Sequence, residues 1–415
     1  MKKNLKSRKI INDPVYGFIT IRHSLLLELI DHPWFQRLRR IGQLGLSHLV
    51  YPGALHNRFQ HAIGAMHLMQ NAVDELRIRG IEITDDEELG LLSAVLLHDI
   101  GHGPFSHALE YSLAPGLHHE HISLQMMKAL NIDLNGRLDT ALKIFGNVYH
   151  KKFMHELVSS QLDMDRLDYL ARDSFFSGVV EGQVGSERLI KMLDVVNDRL
   201  VVEEKGIYSI EKFIVARRFM YWQVYLHKTV LSAEFMLLNA LKRARSLALQ
   251  GTDLFASPAL KYFLCQEVAV NKGEMSGNAL AQYAQLDDFD IAGAIKVWQG
   301  HSDKVLSELC QRIMNRNLLK IEIHRQQFPD ARVEECRNQV AGKMRLSTEE
   351  VSYFVINEKV DNRAYSSEKN AIGIKMKDGR ILDAAEVSDH LNLAALSKPV
   401  EKFILAYPLF RSDHS

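Results

Sequence analysis

The chain has 415 residues, of which 47% are hydrophobic, so it is long enough to bury a large core. Its 51 Lys and Arg residues balance its 51 Asp and Glu residues, which gives no long-range attraction for nucleic acid or an acidic membrane surface. Cys265, Cys310 and Cys336 are far apart, which is typical of a reducing compartment and argues against a cysteine-rich metal site. Because no stretch reaches membrane-spanning length and no signal-type apolar core follows the basic N-terminus, we expect a cytoplasmic protein.

The N-terminal three quarters of the chain are predicted to be mainly helical. The segment from Ile10 to Ile21 has turn residues between apolar residues and predicts a short hairpin. From Ser24 to about Asn315 the pattern is helical, and its clearest helices are Leu25–Ile30, Ile63–Leu76, Glu87–Leu97 and Glu211–Leu249. A second small hairpin is predicted from Leu200–Val202 and Ile207–Ile210, with a turn at Lys205-Gly206.

After about Ala341 the pattern changes to short strands. The predicted strands are Val351–Ile356, Ile372–Met376 and Ile381-Leu382, and Lys377–Arg380 forms the turn between the last two. We therefore predict a mainly α fold with a short N-terminal hairpin. Its helical body would cover residues 1–340, and a small mixed α+β C-terminal subdomain would cover residues 341–415.

Three separated segments offer a candidate metal site. His98 and Asp99 close an apolar run that predicts a buried helix, and Gly101 follows as a helix breaker. Adjacent helical residues point about 100° apart, so both can bind one ion only near the helix end, with other ligands from elsewhere. The candidates for those ligands are His61 and Asp165. Such a set suits Mn, Fe, Zn, Co or Ni, and Mg if substrate phosphates complete the shell.

The sequence around these residues resembles the HD-domain superfamily and, within it, the deoxynucleoside triphosphate triphosphohydrolases. The motifs are Asn57–His61, His98–His107 and Asp163–Tyr169, and the likeness extends through Asn12–Pro14, Phe35–Arg40, Gln43–Gly45 and Tyr225–Lys228. It covers more than half of the chain, with the motifs in one order. The resemblance implies an HD core at about residues 50–180 and metal-dependent cleavage of a dNTP to deoxynucleoside and tripolyphosphate.

The resemblance also implies a group of residues for proton transfer, His102, His107, Glu110, His119 and Glu120. A carboxylate beside an imidazole holds its tautomer and raises its basicity, which suits a group that changes protonation near neutral pH. Glu110 stands where the human member of the group carries Asp, so the charge is kept and the reach differs. His121 is a less favoured alternative to His119.

Four cations match family positions that contact phosphate, Arg58, Arg166, Arg217 and Lys228. The arginine fork suits bidentate phosphate binding, whereas lysine supplies a compact charge. Arg218 is an alternative to Arg217, and Lys228 could equally be a solvated residue of a helix face.

Five further residues match substrate positions at the sugar. Gln43 and Asp173 would bind the 3′-hydroxyl, while Leu44 and Tyr225 would leave no room for a 2′-hydroxyl, so ribonucleotides would be rejected. Tyr169 matches a position near the phosphates and the sugar. By composition alone, Leu44 and Tyr225 would be ordinary core residues.

A regulatory site is a further implication of the resemblance. Four residues match positions that bind a guanine nucleotide at the interface of the human tetramer, Asn12, Asp31, Gln36 and Arg39. Asp accepts from the guanine N1 and N2 hydrogens, and Arg or Gln donates to O6. The implied partners are a nucleotide activator and further copies of the chain in a dimer or tetramer. Fixed interhelical salt bridges explain the same residues equally well.

Two other classes of function stay open. Another HD phosphohydrolase, a nucleoside monophosphatase or a cyclic-nucleotide phosphodiesterase, would share the metal site but ignore triphosphates. A non-catalytic module that senses nucleotides or binds single-stranded nucleic acid would keep the ion for structure, although the net neutrality disfavours nucleic acid.

Overall fold

The computed structural model of the chain describes residues 9–105, 118–266, 270–271, 274–362, 371–389 and 400–410. It begins with an antiparallel hairpin of β1 (Lys9–Asp13) and β2 (Gly17–Ile21), as predicted. The hairpin turns at Gly17, whose φ of 73° favours glycine. Two helices follow, α1 (Ser24–Asp31) and α2 (Pro33–Gln36), and then two 3₁₀ turns, Arg37–Arg40 and Gly45–Leu49.

Two long buried helices form the centre of the body. They are α3 (Arg58–Ile78) and α4 (Asp85–Leu97), and they pack against each other. Each begins at a capping box, in which the side chains of Asn57 and Thr84 accept backbone N–H groups of the first turn. Because α4 is apolar almost throughout from Gly90 to Leu97, this part is buried on every side, which places its C-terminal end inside the protein.

Five helices follow this pair along the chain. They are α5 (His119–Asp133), α6 (Asp139–Phe145), α7 (Lys152–Val158), α8 (Met164–Ser177) and α9 (Ser186–Lys191). Helix α8 packs against α3. The side chain of Asp163 caps its start, and Gly178 ends it with a φ of 75°.

The second hairpin lies earlier in the chain than predicted. Strands β3 (Leu193–Val196) and β4 (Arg199–Glu203) pair through a turn at Asn197 and Asp198, whose φ angles of 51° and 60° fit a two-residue hairpin turn. Helix α10 (Ile207–Met220) occupies the predicted second strand. A π turn at Tyr221–Tyr225 then separates α10 from α11 (Lys228–Leu249), so the predicted helix over 211–249 is interrupted.

The remainder of the chain adds helices and short strands. In order they are α12 (Pro258–Cys265), β5 (Val270–Asn271), β6 (Glu274–Met275), α13 (Gly277–Tyr283), α14 (Asp288–Trp298), α15 (Lys304–Met314), β7 (Lys320–His324), α16 (Asp330–Met344), α17 (Thr348–Val351), β8 (Ile356–Asn362), β9 (Gly373–Lys375), β10 (Ile381–Asp383), α18 (Ala384–Val387) and β11 (Val400–Tyr407). The predicted strand over 351–356 is mostly wrong, because Val351 ends a helix and the strand starts at Ile356.

Two sheets join distant parts of the chain. One has the order β7-β11-β8 and is antiparallel, and the other has the order β10-β9-β4-β3, with β9 parallel to β4. The hairpin of β9 and β10 is confirmed. The fold is mainly α with a small α+β C-terminal region, as predicted, while the boundary at residue 340 stays a prediction. Among the described helices, none is long and apolar enough to cross a membrane.

Candidate metal centre and substrate site

Four side chains from three helices converge at the C-terminal end of α4. The Nε2 atoms of His61 and His98 lie 3.2 Å apart, and Asp165 Oδ1 lies 3.1 and 3.4 Å from them. The carboxylate oxygens of Asp99 lie 3.3 Å from His98 Nε2 and 3.7 Å from His61 Nε2. The predicted ligand set is therefore assembled around one point.

The donor set fits a divalent cation. His61, His98 and Asp99 are buried, and one ligand atom from each lies within 4.8 Å of the others. Metal–nitrogen bonds of about 2.1 Å place two ligand nitrogens roughly 3 Å apart, which matches the separation of the two imidazoles. Imidazole nitrogens and carboxylate oxygens together suit first-row divalent metals.

The second nitrogen of each imidazole is bound by protein, which turns the Nε2 atoms toward the cluster. His98 Nδ1 contacts the Val95 carbonyl at 2.6 Å, and His61 Nδ1 contacts Asp168 Oδ2 at 2.7 Å. Metal-binding histidines usually have such a partner, which sets the tautomer and the ring orientation. Arg172 in turn holds both oxygens of Asp168, at 2.9 and 3.0 Å.

Gly64 makes room for this support. A Cβ atom at Gly64 would lie 2.0 Å from Asp168 Oδ1 and 2.2 Å from Arg172 Nη2. The close approach of α3 to α8 therefore depends on glycine. Arg172 also donates to Asp13 Oδ2 at 2.8 Å, so the N-terminal hairpin is tied to the same group.

The electrostatics favour positive charge at the cluster. Burial alone would lower the pKa of His61, but hydrogen bonds to Asp165 and Asp168 raise that pKa to about 10. Burial would raise the pKa of Asp165, yet His98 and His61 hold it well below its usual range. A site that retains ionised carboxylates when buried is one that stabilises a bound cation.

The residues predicted for proton transfer lie partly beside the cluster. His102 Nε2 is 3.2 Å from Asp99 Oδ1, and its ring stacks on His119 at 3.8 Å between centroids. A Cβ atom at Gly101 would lie 2.5 Å from the His119 carbonyl, so this glycine permits α5 to pack on the loop. Glu120 is exposed in the first turn of α5. His107 and Glu110 lie outside the described residues.

Two of the residues predicted to bind the sugar, Asp173 and Tyr225, contact each other. Its Oδ1 contacts His56 Nε2 at 2.7 Å, and its Oδ2 accepts from the Tyr225 hydroxyl at 2.7 Å. Burial and the neighbouring Asp173 raise the pKa of Tyr225 well above its usual range, so the hydroxyl keeps its proton. The buried Oε1 of Gln43 accepts no hydrogen bond within the described parts of the chain, and Leu44 is half-buried next to it.

The predicted phosphate-binding cations are in different surroundings. Arg58 pairs with Asp99 Oδ2 inside the site, and Arg166 donates to the Ser160 carbonyl at 2.6 Å. Arg217 has a buried Nε with no hydrogen-bond partner among the described residues, while Lys228 is exposed at the start of α11. Of these four cations, Arg58 is the one whose side chain forms an ion pair with a metal-ligand candidate in the described part of the chain.

Comparison with known proteins gives a family. Models of the HD domain and of the HD associated region match residues 58–173 and 184–255. A phosphohydrolase from Bacteroides thetaiotaomicron is 50% identical in sequence, and its crystal structure has a TM-score of 0.94 over 97% of this chain and 100% of that one. The Bacillus subtilis protein YwfO is 35% identical over 76% of this chain and 72% of its own length.

The chain belongs to the HD-domain phosphohydrolases.

Within this family, relatives whose names state a substrate match a shorter part of this chain. A deoxynucleoside triphosphate triphosphohydrolase SAMHD1 homologue from Dictyostelium discoideum is 34% identical over 58% of this chain and 50% of its own length. This HD phosphohydrolase thus spans about half the length of that relative.

The HD phosphohydrolase has a cavity of about 610 Å³, some of whose lining residues are close in sequence to predicted site residues. Leu46, Phe105 and Leu226 line it, and these residues follow Leu44, His102 and Tyr225 within three positions of the chain. Helix α11 and strand β8 form its other walls, with the Glu234 carboxyl among the lining groups. Burial raises the pKa of Glu234 to about 7.

The four residues predicted to bind an activator lie in the segment from β1 to the first 3₁₀ turn. Gln36 donates to the Ile30 carbonyl at 2.7 Å and accepts from Arg39 Nε at 2.9 Å. Asp31 contacts Lys9 Nζ at 3.4 Å, and Asn12 is exposed in β1. All of these side chains lie at the surface or partly exposed, and their role stays a prediction.

Sequence reasoning missed two residues that complete the HD site, Asp168 and His56. Asp168 lies three residues after Asp165, so the same motif contained the signal for it. His56 immediately precedes a matched motif, but its contact with Asp173 depends on a fold that joins residues far apart in the chain.

Proposed function

We propose that this HD phosphohydrolase cleaves dNTPs at the α-phosphorus, releasing deoxynucleoside and tripolyphosphate. The observation that carries this proposal is the arrangement along α8. Asp165, Tyr169 and Asp173 follow at intervals of four residues, which places them on one side of the helix over roughly 12 Å. Since Asp165 belongs to the metal cluster and Asp173 to the sugar side, one rigid helix spans the phosphate and sugar ends of a nucleotide.

The size of the cavity supports a nucleotide substrate. Ligand pockets usually measure about 300–1,000 Å³, and the cavity at Leu46 and Leu226 falls within that range. The SAMHD1 homologue named above carries the same activity in its name. The base of the substrate would occupy the cavity, next to the sugar-selecting residues.

His61, His98, Asp99 and Asp165 would hold one divalent ion, Mn, Fe, Co, Ni, Zn or Mg. When bound, such an ion supplies Lewis-acid polarisation of a phosphoryl oxygen and orients water, and Mg would also accompany the triphosphate. Asp168 keeps the His61 ring in the tautomer that leaves Nε2 available.

The triphosphate charge would be offset by cations on two sides of the cluster. Arg58 and Arg166 lie on the α3 and α8 sides, while Arg217 and Lys228 come from α10 and α11. The unpaired buried Nε of Arg217 within the described region is consistent with a missing anionic partner.

Proton transfer to the leaving 5′-oxygen, or from the attacking water, would fall to His119, or to His107 with Glu110. His119 stacks against His102, and His102 contacts Asp99, so the imidazoles border the metal cluster. Glu120 would assist His119 as its neighbour.

Sugar selection would depend on Gln43, Leu44, Asp173 and Tyr225. The unsatisfied Gln43 Oε1 would accept from the 3′-hydroxyl, and the Asp173 carboxylate would lie beside it. The Tyr225 ring, fixed by its hydrogen bond to Asp173, would exclude a ribose 2′-hydroxyl together with Leu44. A nucleotide bound by Asn12, Asp31, Gln36 and Arg39 at an interface between copies would activate the enzyme.

The test is product analysis with each dNTP, each rNTP and mixed dNTPs in Mn or Mg, with Asp99→Ala as the control. Deoxynucleoside and tripolyphosphate from dNTPs alone, absent in the control, would support the proposal. Activity seen only with mixed dNTPs would support the activator site. Cleavage of monophosphates or cyclic nucleotides instead, or tight RNA binding without hydrolysis, would overturn the proposal in favour of another HD function.

A further inference from the structure

The loop that follows the metal ligands is fixed by residues distant in the chain. The carbonyls of Ile100 and His102 accept from Arg37 Nη2 at 2.7 and 2.9 Å. The carbonyl between them, from Gly101, accepts from the Tyr283 hydroxyl at 2.9 Å. Three consecutive carbonyls are therefore held by side chains from other parts of the fold.

Asp288 bridges this loop to the segment at Gly42, which precedes Gln43. Its Oδ1 accepts from the backbone N–H of Phe105 at 2.8 Å, and its Oδ2 accepts from that of Gly42 at 2.8 Å. A Cβ atom at Gly42 would lie 3.3 Å from Asp288 Oδ2, so glycine suits this approach. One carboxylate thus binds the residues next to Gln43 and three positions after His102.

The segment at Gly42 is itself part of the site. Gly42 forms a bridge with Asn57, and the Gln43 N–H donates to the His56 carbonyl at 3.0 Å. The N–H of Arg58 donates to the Ile41 carbonyl at 3.0 Å. Residues 41–43 are therefore fixed to the start of α3, which carries His61.

We propose that Asp288 is a positioning residue that fixes residues 100–105, the loop after the metal-ligand candidates, against residues 41–43. Its contribution to turnover rests on the proposed function, whereas its role in holding the backbone does not. Asp288 lies outside both regions matched by the family models, 58–173 and 184–255. The first residue of α14 therefore completes a site whose ligands all lie within the HD domain.

The charge of Asp288 suits this role at assay pH. Burial raises the pKa of Asp288 to about 6, although the Gly42 and Phe105 N–H groups and the positive charge of Arg58 oppose the rise and Asp287 adds to it. At pH 8 the carboxylate is ionised, so both oxygens accept hydrogen bonds. An amide in its place keeps only one acceptor oxygen.

The test compares Asp288→Asn with Asp290→Asn at pH 8. Asp290 lies in the same first turn and accepts from the Asp287 N–H at 2.7 Å, so its variant makes the same charge change and also weakens the cap of α14. We expect Asp288→Asn to lower kcat at least about 10-fold with Mn affinity within about twofold of wild type. Hydrogen exchange should accelerate at the amides of Gly42 and Phe105, and the Asp290 variant should show neither change.

Equal turnover and equal exchange in the two variants would overturn the proposal. So would a parallel loss of Mn affinity and of helical circular dichroism in Asp288→Asn, because that result would indicate general unfolding. A wild-type protein without dNTP hydrolysis would end the proposed function alone. The exchange of Gly42 and Phe105 would then decide whether Asp288 holds the two segments.

Discussion

Asp168 supports the candidate metal site without belonging to its proposed ligand set. It contacts the far nitrogen of His61 and is itself held by Arg172, and all three side chains are almost completely buried. Two acceptor oxygens are needed, since both Arg172 and the imidazole bind this carboxylate. An amide would present an N–H group toward one of these donors.

We therefore expect Asp168→Asn to weaken divalent-metal binding by about 10–100-fold, because partners of metal-bound histidines typically contribute that much. Calorimetric titration with Mn at a temperature where the variant is folded measures this change. The exposed Asp133→Asn is the control and should bind Mn like wild type. Wild-type affinity in Asp168→Asn would show that His61 is oriented by other contacts.

Tyr225 has two proposed roles that two variants can separate. Tyr225→Phe removes the hydroxyl that donates to Asp173 Oδ2 but keeps the ring. Loss of one hydrogen bond of about 1 kcal/mol should lower kcat/KM for dNTPs by roughly fivefold, while ribonucleotides stay excluded. Tyr225→Ala should in addition permit rNTP hydrolysis. Competition assays with dNTP and rNTP measure both, and an rNTP-active Phe variant would contradict exclusion by the ring.

At the level of helices, the packing of α3 on α8 depends on Gly64. Gly64→Ala should destabilise the protein by roughly 1–3 kcal/mol, because the new methyl group would overlap the Asp168–Arg172 pair. Gly342, in α16, has open space around it, so Gly342→Ala should stabilise by about 0.5–1 kcal/mol. Urea unfolding of the two variants tests this. Effects of the same sign would contradict the packing argument.

Sequence patterns predicted those elements whose reasons are local. The apolar run of α4 and the turn at Gly17 each act within a few residues, and that helix and the first hairpin agree with the prediction to within two residues, whereas α3 begins at Arg58 and not at the predicted Ile63. The predicted position of the hairpin at 193–203 is wrong because Lys205-Gly206 also has a turn-forming sequence. The turn lies at Asn197 and Asp198, which adopt positive φ angles. The apolar side chains among residues 207–210 form a pattern that suits either a strand or the first turn of a buried helix.

The candidate site also has a part that local sequence predicts and a part that depends on the fold. The ligands came from matched motifs, and the structure brings them together. Asp288 could not be found in this way, since its contacts with Gly42 and Phe105 span 246 and 183 residues of sequence. Carboxylates are common in the first turn of a helix, where Asp287 is the cap and Asp288 the first residue, so the local pattern gives no signal of the contacts that Asp288 makes with distant backbone.

For the whole molecule, acid stability should depend on Glu88, which ties α4 to α3 and to the residue before α1. Hydrogen bonds from His23 and Arg77 lower the pKa of Glu88 to about 2, despite burial. Because this folded-state pKa is depressed, the stabilisation is present above pH about 4.5 and is lost as the pH falls toward 2.

Glu88→Gln should therefore lower the free energy of unfolding by about 2 kcal/mol at pH 7, and the difference from wild type should shrink between pH 5 and pH 2. Urea titrations at several pH values measure it. The exposed Glu82→Gln serves as the control, with no difference at any pH. A difference that persists at pH 2 would contradict the assigned charge effect.

Metal binding should also appear as global stability. A ligand that binds only the folded state at 100 times its dissociation constant stabilises it by about 2.7 kcal/mol, so Mn should raise Tm by several degrees and a chelator should reverse the rise. Asp99→Ala should abolish the response. Thermal unfolding with Mn, Fe, Co, Ni, Zn and Mg in turn would rank the ions, and no shift with any of them would contradict a metal site.

The parallel pairing of β4 with β9 has a consequence for synthesis of the chain. Val201 pairs with Gly373, so the edge of β4 has no strand beside it until the ribosome has made nearly the whole protein. Most of the HD helices have left the ribosome long before that moment, and their local contacts form early. The partly synthesised helical body therefore carries an unpaired strand edge. That edge is where a chaperone or another unfinished chain would bind first.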